Sequence, residues 1–275
     1  MEGGMSMLVL ESHGVTIEIA VDEPALMPSV EALLPPGWQE GDPARVTARL
    51  ALTRGGQVRV DGTTVRTGDD NQAALPALDA ALRSVVAQNA PDHVFVHAGV
   101  VVRDDRAIVL PGASWSGKTT LVAALVRAGA TYFSDEFAVL DSQGRVHPYP
   151  KPLSWREPGE LVQVDVPAEE IGAVGSGPAE VAVIAETRFS PWESGLNPGS
   201  AGGGALALLS YAIAARSRSA QVLEAARAAA TDAVYLEGPR GEAEPAARGL
   251  LALIDAPGAT TEEQPALATG SEPGA

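Results

Sequence analysis

The chain has 275 residues, 45% of them hydrophobic, with no cysteine and a formal net charge of −16. That length and apolar fraction support one good-sized core with a small appended module, and the lack of cysteine excludes a disulfide scaffold, a zinc–thiolate site and thiol catalysis. An acidic surface with no basic stripe repels phosphodiester backbones, so no nucleic-acid partner is expected; the charge serves solubility and would favour a basic peptide.

The first ten residues, Met1 to Leu10, have no basic region and only a short apolar stretch, so no secretory signal is expected. Runs at Val15–Val21, Arg45–Leu52 and Gln57–Val60 read as strands, with turn signals at Arg54-Gly55-Gly56 and Asp61-Gly62. Leu75, Leu78, Leu82, Val85 and Val86 then fall on one face of a helix. Residues 1–90 are therefore expected to form a small α+β module. Residues 91–255 alternate strand-like and helical patterns, as an α/β nucleotide-binding domain does, with 203–255 Ala-rich and mostly helical. The tail, 256–275, is rich in Pro, Gly, Thr and Glu without a periodic apolar face and is expected to be disordered. The apolar segment Ala205–Ala215 is too short to cross a bilayer. A cytoplasmic protein without a membrane partner is expected; self-association is left open.

From His97 to Leu110 the pattern is that of a hairpin, with Asp104-Asp105 at its turn and Arg106–Leu110 as a buried return strand. The strand runs into Gly112-Ala113-Ser114-Trp115-Ser116-Gly117-Lys118-Thr119, which is G-x-x-x-x-G-K-[ST], the phosphate-binding loop. Leu121, Val122, Leu125 and Val126 follow at helical spacing, and Gly129 ends the helix. Only two of the chain's 19 basic residues are lysines, Lys118 and Lys151. A sequence that writes its other cations as Arg keeps Lys where a compact three-donor ammonium suits phosphate oxygens. ATP with Mg²⁺ is the expected ligand: loop N–H groups, from Gly112 through Thr119 and on to Thr120, cradle the phosphates, Lys118 reaches the β and γ oxygens, and the Thr119 hydroxyl sits on Mg²⁺.

Downstream, Ala130–Ser134 reads as a strand delivering Asp135-Glu136 at its end, where α/β folds place groups that face a bound phosphate. One of the two carboxylates would complete the metal site and the other would accept a proton from an attacking hydroxyl. Lys151, ahead of Pro152, opens an extended segment that could line an acceptor site. Glu186 ends the strand-like run Val181–Ala185, as a second Mg²⁺ carboxylate, or else Arg188 touches phosphate. Arg240, in Gly238-Pro239-Arg240-Gly241, carries no assignment.

A His-led hairpin, a phosphate loop with its helix, and a strand ending in two acidic residues together resemble the catalytic domain of HPr kinase/phosphorylase, a bacterial P-loop protein-serine kinase similar in fold to phosphoenolpyruvate carboxykinase. His97-Ala98-Gly99-Val100, Ser134-Asp135-Glu136 and Lys151-Pro152-Leu153-Ser154 look like the shorter HPr kinase-related proteins, some of which phosphorylate a hydroxyl on a ribosomal-peptide precursor. The likeness covers about residues 93–160 well, weakens toward 255, and hardly touches the first 90. It implies an α/β P-loop kinase of HPr kinase/phosphoenolpyruvate carboxykinase-like architecture. Lys118 and Thr119 match the family's phosphate and Mg²⁺ residues, Asp135 its base, and His97 its histidine ahead of the loop. The chain departs from the family at Thr120, where Glu is usual, and lacks the Gly-rich signature tied to HPr docking and the phosphorylase reaction. The expected activity is ATP- and Mg²⁺-dependent transfer of a γ-phosphoryl group to a hydroxyl, a Ser of a protein or peptide, with Asp135, Lys118 and His97 as catalytic residues and Thr119, Glu136 and Glu186 as metal candidates. A small-molecule kinase and a non-catalytic ATP-sensing module are the alternatives.

Overall fold

The computed structural model describes residues 4–68, 70–113, 116–155 and 164–255; Ser114, Trp115 and the expected disordered tail lie outside the described residues. The chain divides into two compact units between His93 and Val94. Among the described residues no helix is long and apolar enough to cross a membrane.

In the first unit, β1 (Ser6–Ser12) and β2 (Val15–Val21) form a hairpin, followed by the short α1 (Met27–Glu31), β3 (Gln39–Glu40), β4 (Ala48–Thr53), β5 (Gln57–Val60) and β6 (Thr63–Arg66). The sheet order is β3-β1-β2-β4-β5-β6, with β2 and β4 parallel and the other neighbours antiparallel. Helix α2 (Leu75–Asn89) packs on β4 and β5 and buries Leu75, Leu78, Leu82, Val85 and Val86, the face its periodicity predicts. Strands β1, β3 and β6 were not read from sequence. Half of β1 is solvated and β6 is largely exposed, so neither carries a clean apolar signal.

The second unit opens with β7 (Val94–Arg103) and β8 (Arg106–Pro111), then α3 (Lys118–Arg127), β9 (Thr131–Ser134), β10 (Phe137–Leu140), β11 (Val146–His147), β12 (Leu153–Trp155), β13 (Val164–Val166), α4 (Ala168–Ile171), β14 (Glu180–Phe189), β15 (Asn197–Pro198), α5 (Ala201–Ser210), α6 (Ser219–Ala230), β16 (Val234–Arg240) and α7 (Ala243–Asp255). The main sheet is mixed, in the order β11-β10-β7-β8-β14-β16-β15 with β9 also on β7; β12 and β13 pair apart from it. Its β8, β14 and β16 are parallel, and β7 is antiparallel to β8. The expected β7–β8 hairpin turns at Asp104 (φ 51°) and Asp105 (φ 59°), both left-handed, as a two-residue turn of this hand requires.

Both faces of this sheet are covered, which is why β7 and β8 read as nearly continuous apolar runs. On one face, Val94, Val96, Ala98, Val100 and Val102 pack with Leu208 of α5 and Val222 and Ala226 of α6. On the other, Val101, Ile108 and Leu110 pack with Leu121, Val122 and Leu125 of α3 and Leu250 and Ile254 of α7. The period of two along β7 thus sends His97 and Gly99 toward the α3 face. Segment 203–255 is mostly helical, as expected, through α5, α6 and α7, but it also holds the strand β16. Its Val234-Tyr235-Leu236 core is short, Gly238-Pro239 follows, and helix-forming Ala-rich segments flank it, so the local pattern hides a strand that tertiary pairing with β14 establishes.

Candidate phosphate-binding site

Strand β8 is buried from Ala107 to Pro111 and ends at the loop, and α3 starts at Lys118, so the motif sits at a strand–loop–helix junction as its chemistry demands. Gly117 precedes the helix with φ 84°, a backbone that disfavours any side chain. Lys118 is 8% exposed, and its Nζ donates to the carbonyls of Gly112 (2.7 Å) and Ala113 (2.8 Å). The lysine therefore folds back over the loop, with its ammonium on the inner side. Burial draws the ammonium below its ordinary pKa, while the Asp135 charge opposes that shift. Ser116 also belongs to the loop, and its Oγ is enclosed without a hydrogen-bond partner among the described residues. Thr120 is exposed on the first turn of α3.

Asp135 lies between β9 and β10. These two strands run along the same edge of β7, with Ser134 opposite Val100 and Phe137 opposite His97, so Asp135 and Glu136 occupy the stretch facing Gly99 and Ala98. The Ser134 hydroxyl accepts from the amides of Glu136 and Phe137, and Ala98 N donates to the Glu136 carbonyl. This interruption of the ladder turns the Asp135 side chain toward α3. The Thr119 hydroxyl donates to Asp135 Oδ2 at 2.6 Å, while Oδ1 is enclosed and has no hydrogen-bond partner among the described residues. Burial pushes the Asp135 carboxyl up to about 6, against the Thr119 hydrogen bond and the Lys118 charge, which both pull it down. Gly99 makes the arrangement possible: a Cβ there would stand 2.5 Å from Val122 Cγ2 of α3 and 3.8 Å from Asp135 Oδ1. The helix that carries Thr119 can lie this close to the sheet only over a residue without a side chain.

His97 sits on the other edge of the loop's entry. Its Nδ1 is 2.9 Å from the Gly112 carbonyl and therefore carries the proton, since a carbonyl only accepts; its own carbonyl accepts from Gly112 N. The geometry makes His97 a brace for the first glycine of the loop. Tyr132 donates to the Lys151 carbonyl at 2.8 Å, which fixes the backbone of that segment beneath β9.

Glu186 lies on the opposite flank, on β14, directly paired in register with Glu237 of β16. Its Oε1 accepts from Tyr211 (3.0 Å) and its Oε2 from Tyr235 (3.1 Å), whose hydroxyl also lies 3.0 Å from Glu237 Oε2. The two glutamates and Arg188 line a cleft of about 610 Å³ whose other wall is Gly112, Ala113 and Ser116. Asp135, expected as the base, is thus the carboxylate that touches Thr119, whereas the metal candidate Glu186 is hydrogen-bonded to Tyr211 and Tyr235. Tyr211, Tyr235 and Glu237 were not singled out in the sequence; recognising β16 as a neighbour of β14 would have brought Tyr235 and Glu237 into view. The described residues include no cluster of three or more His, Asp or Glu side chains arranged to hold a metal by themselves.

Arg240, unassigned in the sequence, also reaches the loop. It is 3% exposed at the end of β16, and its Nη2 donates to the Gly117 carbonyl at 2.7 Å.

No family model matches the chain, and no curated protein matches it. Among solved structures it is similar to the Hpr(Ser) kinase/phosphatase from Coxiella burnetii, at 15% identity over 58% of this chain and 93% of that chain, with a TM-score of 0.31. This likeness is a distant one.

Proposed function

We propose that the chain is an ATP- and Mg²⁺-dependent kinase that moves a γ-phosphoryl group to a hydroxyl. The observation that carries the reading is the Thr119–Asp135 hydrogen bond at the start of α3, beside a buried Lys118. A loop, a cation and a carboxylate converge there, which is what in-line phosphoryl transfer needs. ATP is the substrate; Lys118 and the N-terminal amides of α3 would neutralise charge on its phosphates. Mg²⁺ fits a set of hard oxygen donors, which Thr119 Oγ1 and Asp135 Oδ2 supply, and when bound it would screen the β and γ phosphate charge. Glu136, next in the chain, remains a further candidate for that set. The ionised Asp135 carboxylate would accept the acceptor's proton. As that proton leaves, the acceptor oxygen bonds to the γ-phosphorus, the bond from the γ-phosphorus to the β–γ bridging oxygen breaks, and ADP departs.

A module that only senses ATP needs no base beside the phosphates, whereas a carboxyl that burial raises to about 6 is suited to proton acceptance near neutral pH. The serine acceptor, on a protein or peptide, follows from the resemblance of His97-Ala98-Gly99-Val100 and Ser134-Asp135-Glu136 to the HPr kinase-related proteins. Incubation with γ-labelled ATP, Mg²⁺ and candidate acceptor peptides tests the reading. Asp135→Asn keeps the shape but cannot take the proton, so transfer is expected to fall by roughly a hundred-fold or more with ATP affinity little changed. Undiminished labelling by Asp135→Asn would remove Asp135 from the mechanism.

A further inference from the structure

Arg240 is a buried guanidinium whose hydrogen bonds run to backbone carbonyls: Nη2 to Gly117 O at 2.7 Å and Nη1 to Gly241 O at 2.9 Å. Its Nε is enclosed and has no partner among the described residues, and no carboxylate among them stands within ion-pair distance. Glu242 and Glu244 act on it only from further away. A buried cation without a carboxylate at its side is costly, and folds keep one where an anion or a set of dipoles needs it. The surroundings show what holds it there. Phe189 lies beneath the guanidinium, with Cζ 5.6 Å from the ring centroid, and Ser190 N donates to the Arg240 carbonyl. Phe189 N also donates to the Ser116 carbonyl, so the end of β14 ties the arginine and the phosphate loop together.

We propose that Arg240 is a positioning residue of the phosphate loop: the Gly117 carbonyl accepts the first helical bond of α3, from Leu121 N at 3.2 Å, and Arg240 as its second donor locks the Gly117–Lys118 peptide so that the Lys118 N–H points toward the phosphates. In a trans peptide the carbonyl and the N–H point to opposite sides, so a cation fixed on the carbonyl fixes the direction of the N–H. The same charge polarises the peptide and strengthens that N–H as a donor to an anion. Gly117 is matched to the arginine as well as to its own φ of 84°, since a Cβ there would lie 2.5 Å from Arg240 Nη2. The loop therefore carries two cations with different tasks: Lys118 lies over its inner side and Arg240 supports it from behind. Lysine would be a poorer substitute, because it offers a single nitrogen where Arg240 reaches the Gly241 carbonyl with Nη1 and the Gly117 carbonyl with Nη2.

This inference rests on the kinase reading only for its nucleotide arm. Two measurements on the full chain keep the two separable. Amide hydrogen exchange without nucleotide, read on the peptide spanning 112–121, should quicken in Arg240→Ala and less so in Arg240→Lys. Affinity for a fluorescent ATP analogue with Mg²⁺ should fall about ten-fold or more in Arg240→Ala, the scale of losing a charge-assisted hydrogen bond, with Arg240→Lys between it and the unaltered protein. If the unaltered protein binds no nucleotide, the kinase reading fails and exchange alone decides the role of Arg240. Loop exchange unchanged in both variants overturns the proposal. So does faster exchange with nucleotide affinity unchanged, which would make Arg240 a structural prop and nothing more.

Discussion

Asp135 and Asp141 flank the four residues of β10, one just before the strand and one just after it. At Asp141, Oδ1 accepts from the amides of Gln143 (2.9 Å) and Arg145 (3.0 Å), and Oδ2 takes Arg145 Nε and His147 Nε2 at 3.0 Å each. Burial pushes its pKa up, but the His147 and Arg145 hydrogen bonds and the backbone amides outweigh it, and the carboxyl is held below its ordinary value. Among the described residues the Asp135 carboxyl has one hydrogen bond, from Thr119, and burial lifts it to about 6. The same residue type thus does opposite work six positions apart. A carboxylate whose lone pairs are satisfied closes a turn, whereas one left short of donors beside the Gly112–Thr119 loop retains the capacity to take a proton.

The largest expected difference between the two is chemical. Asp135→Asn should lower phosphoryl transfer by roughly a hundred-fold or more, while Asp141→Asn should leave it within about two-fold, because it changes only a turn. Comparable losses in both variants would break the distinction.

Stability should separate them next, and with opposite sign. A carboxyl whose folded pKa is raised stabilises the fold at acid pH, and that stabilisation is lost as pH climbs from its unfolded value of 3.8 through about 6. Ionised Asp135 is therefore a cost near neutral pH. Asp135→Asn should make the protein more stable there by on the order of 2 to 3 kcal/mol, visible as a higher Tm at pH 7.5 that shrinks toward pH 4. Asp141 is the reverse case: its folded pKa is depressed, so its stabilisation is present above the unfolded value and lost as pH falls through the folded one. Asp141→Asn should cost on the order of 1 to 2 kcal/mol at pH 7.5, with the penalty fading in acid. A smaller and subtler effect concerns pH and rate: transfer by the unaltered protein should rise with pH as Asp135 ionises and then flatten, with a midpoint at or below about 6 because Mg²⁺ bound beside the carboxyl favours its ionised form.

How much of this was legible beforehand differs by residue. The loop, its strand and its helix could be read because Lys118 stands in a fixed spacing and β8 and α3 are buried on patterns that periodicity reveals. Asp135 could be placed at a strand end, but its distinction from Glu136 comes from the register of β9 and β10 against β7, a long-range pairing that no local pattern encodes. Gly99 could be noted within a familiar run of residues, yet its reason, the approach of Val122, exists only once α3 has packed. Arg240 carries no assignment in the sequence and Glu237 draws no notice there, because both depend on β16, a strand set within helical segments and paired in parallel with a strand some fifty residues earlier.

The central claim is that the loop from Gly112 to Thr119 binds Mg²⁺-ATP through Lys118, and calorimetric titration of the nucleotide into the unaltered protein and into Lys118→Ala tests it most directly. The account predicts saturable binding by the first and an affinity lower by roughly ten- to hundred-fold or more in the second, the scale of removing hydrogen bonds to a charged group. Equal affinities in the two proteins, or no binding by the unaltered one, would contradict it.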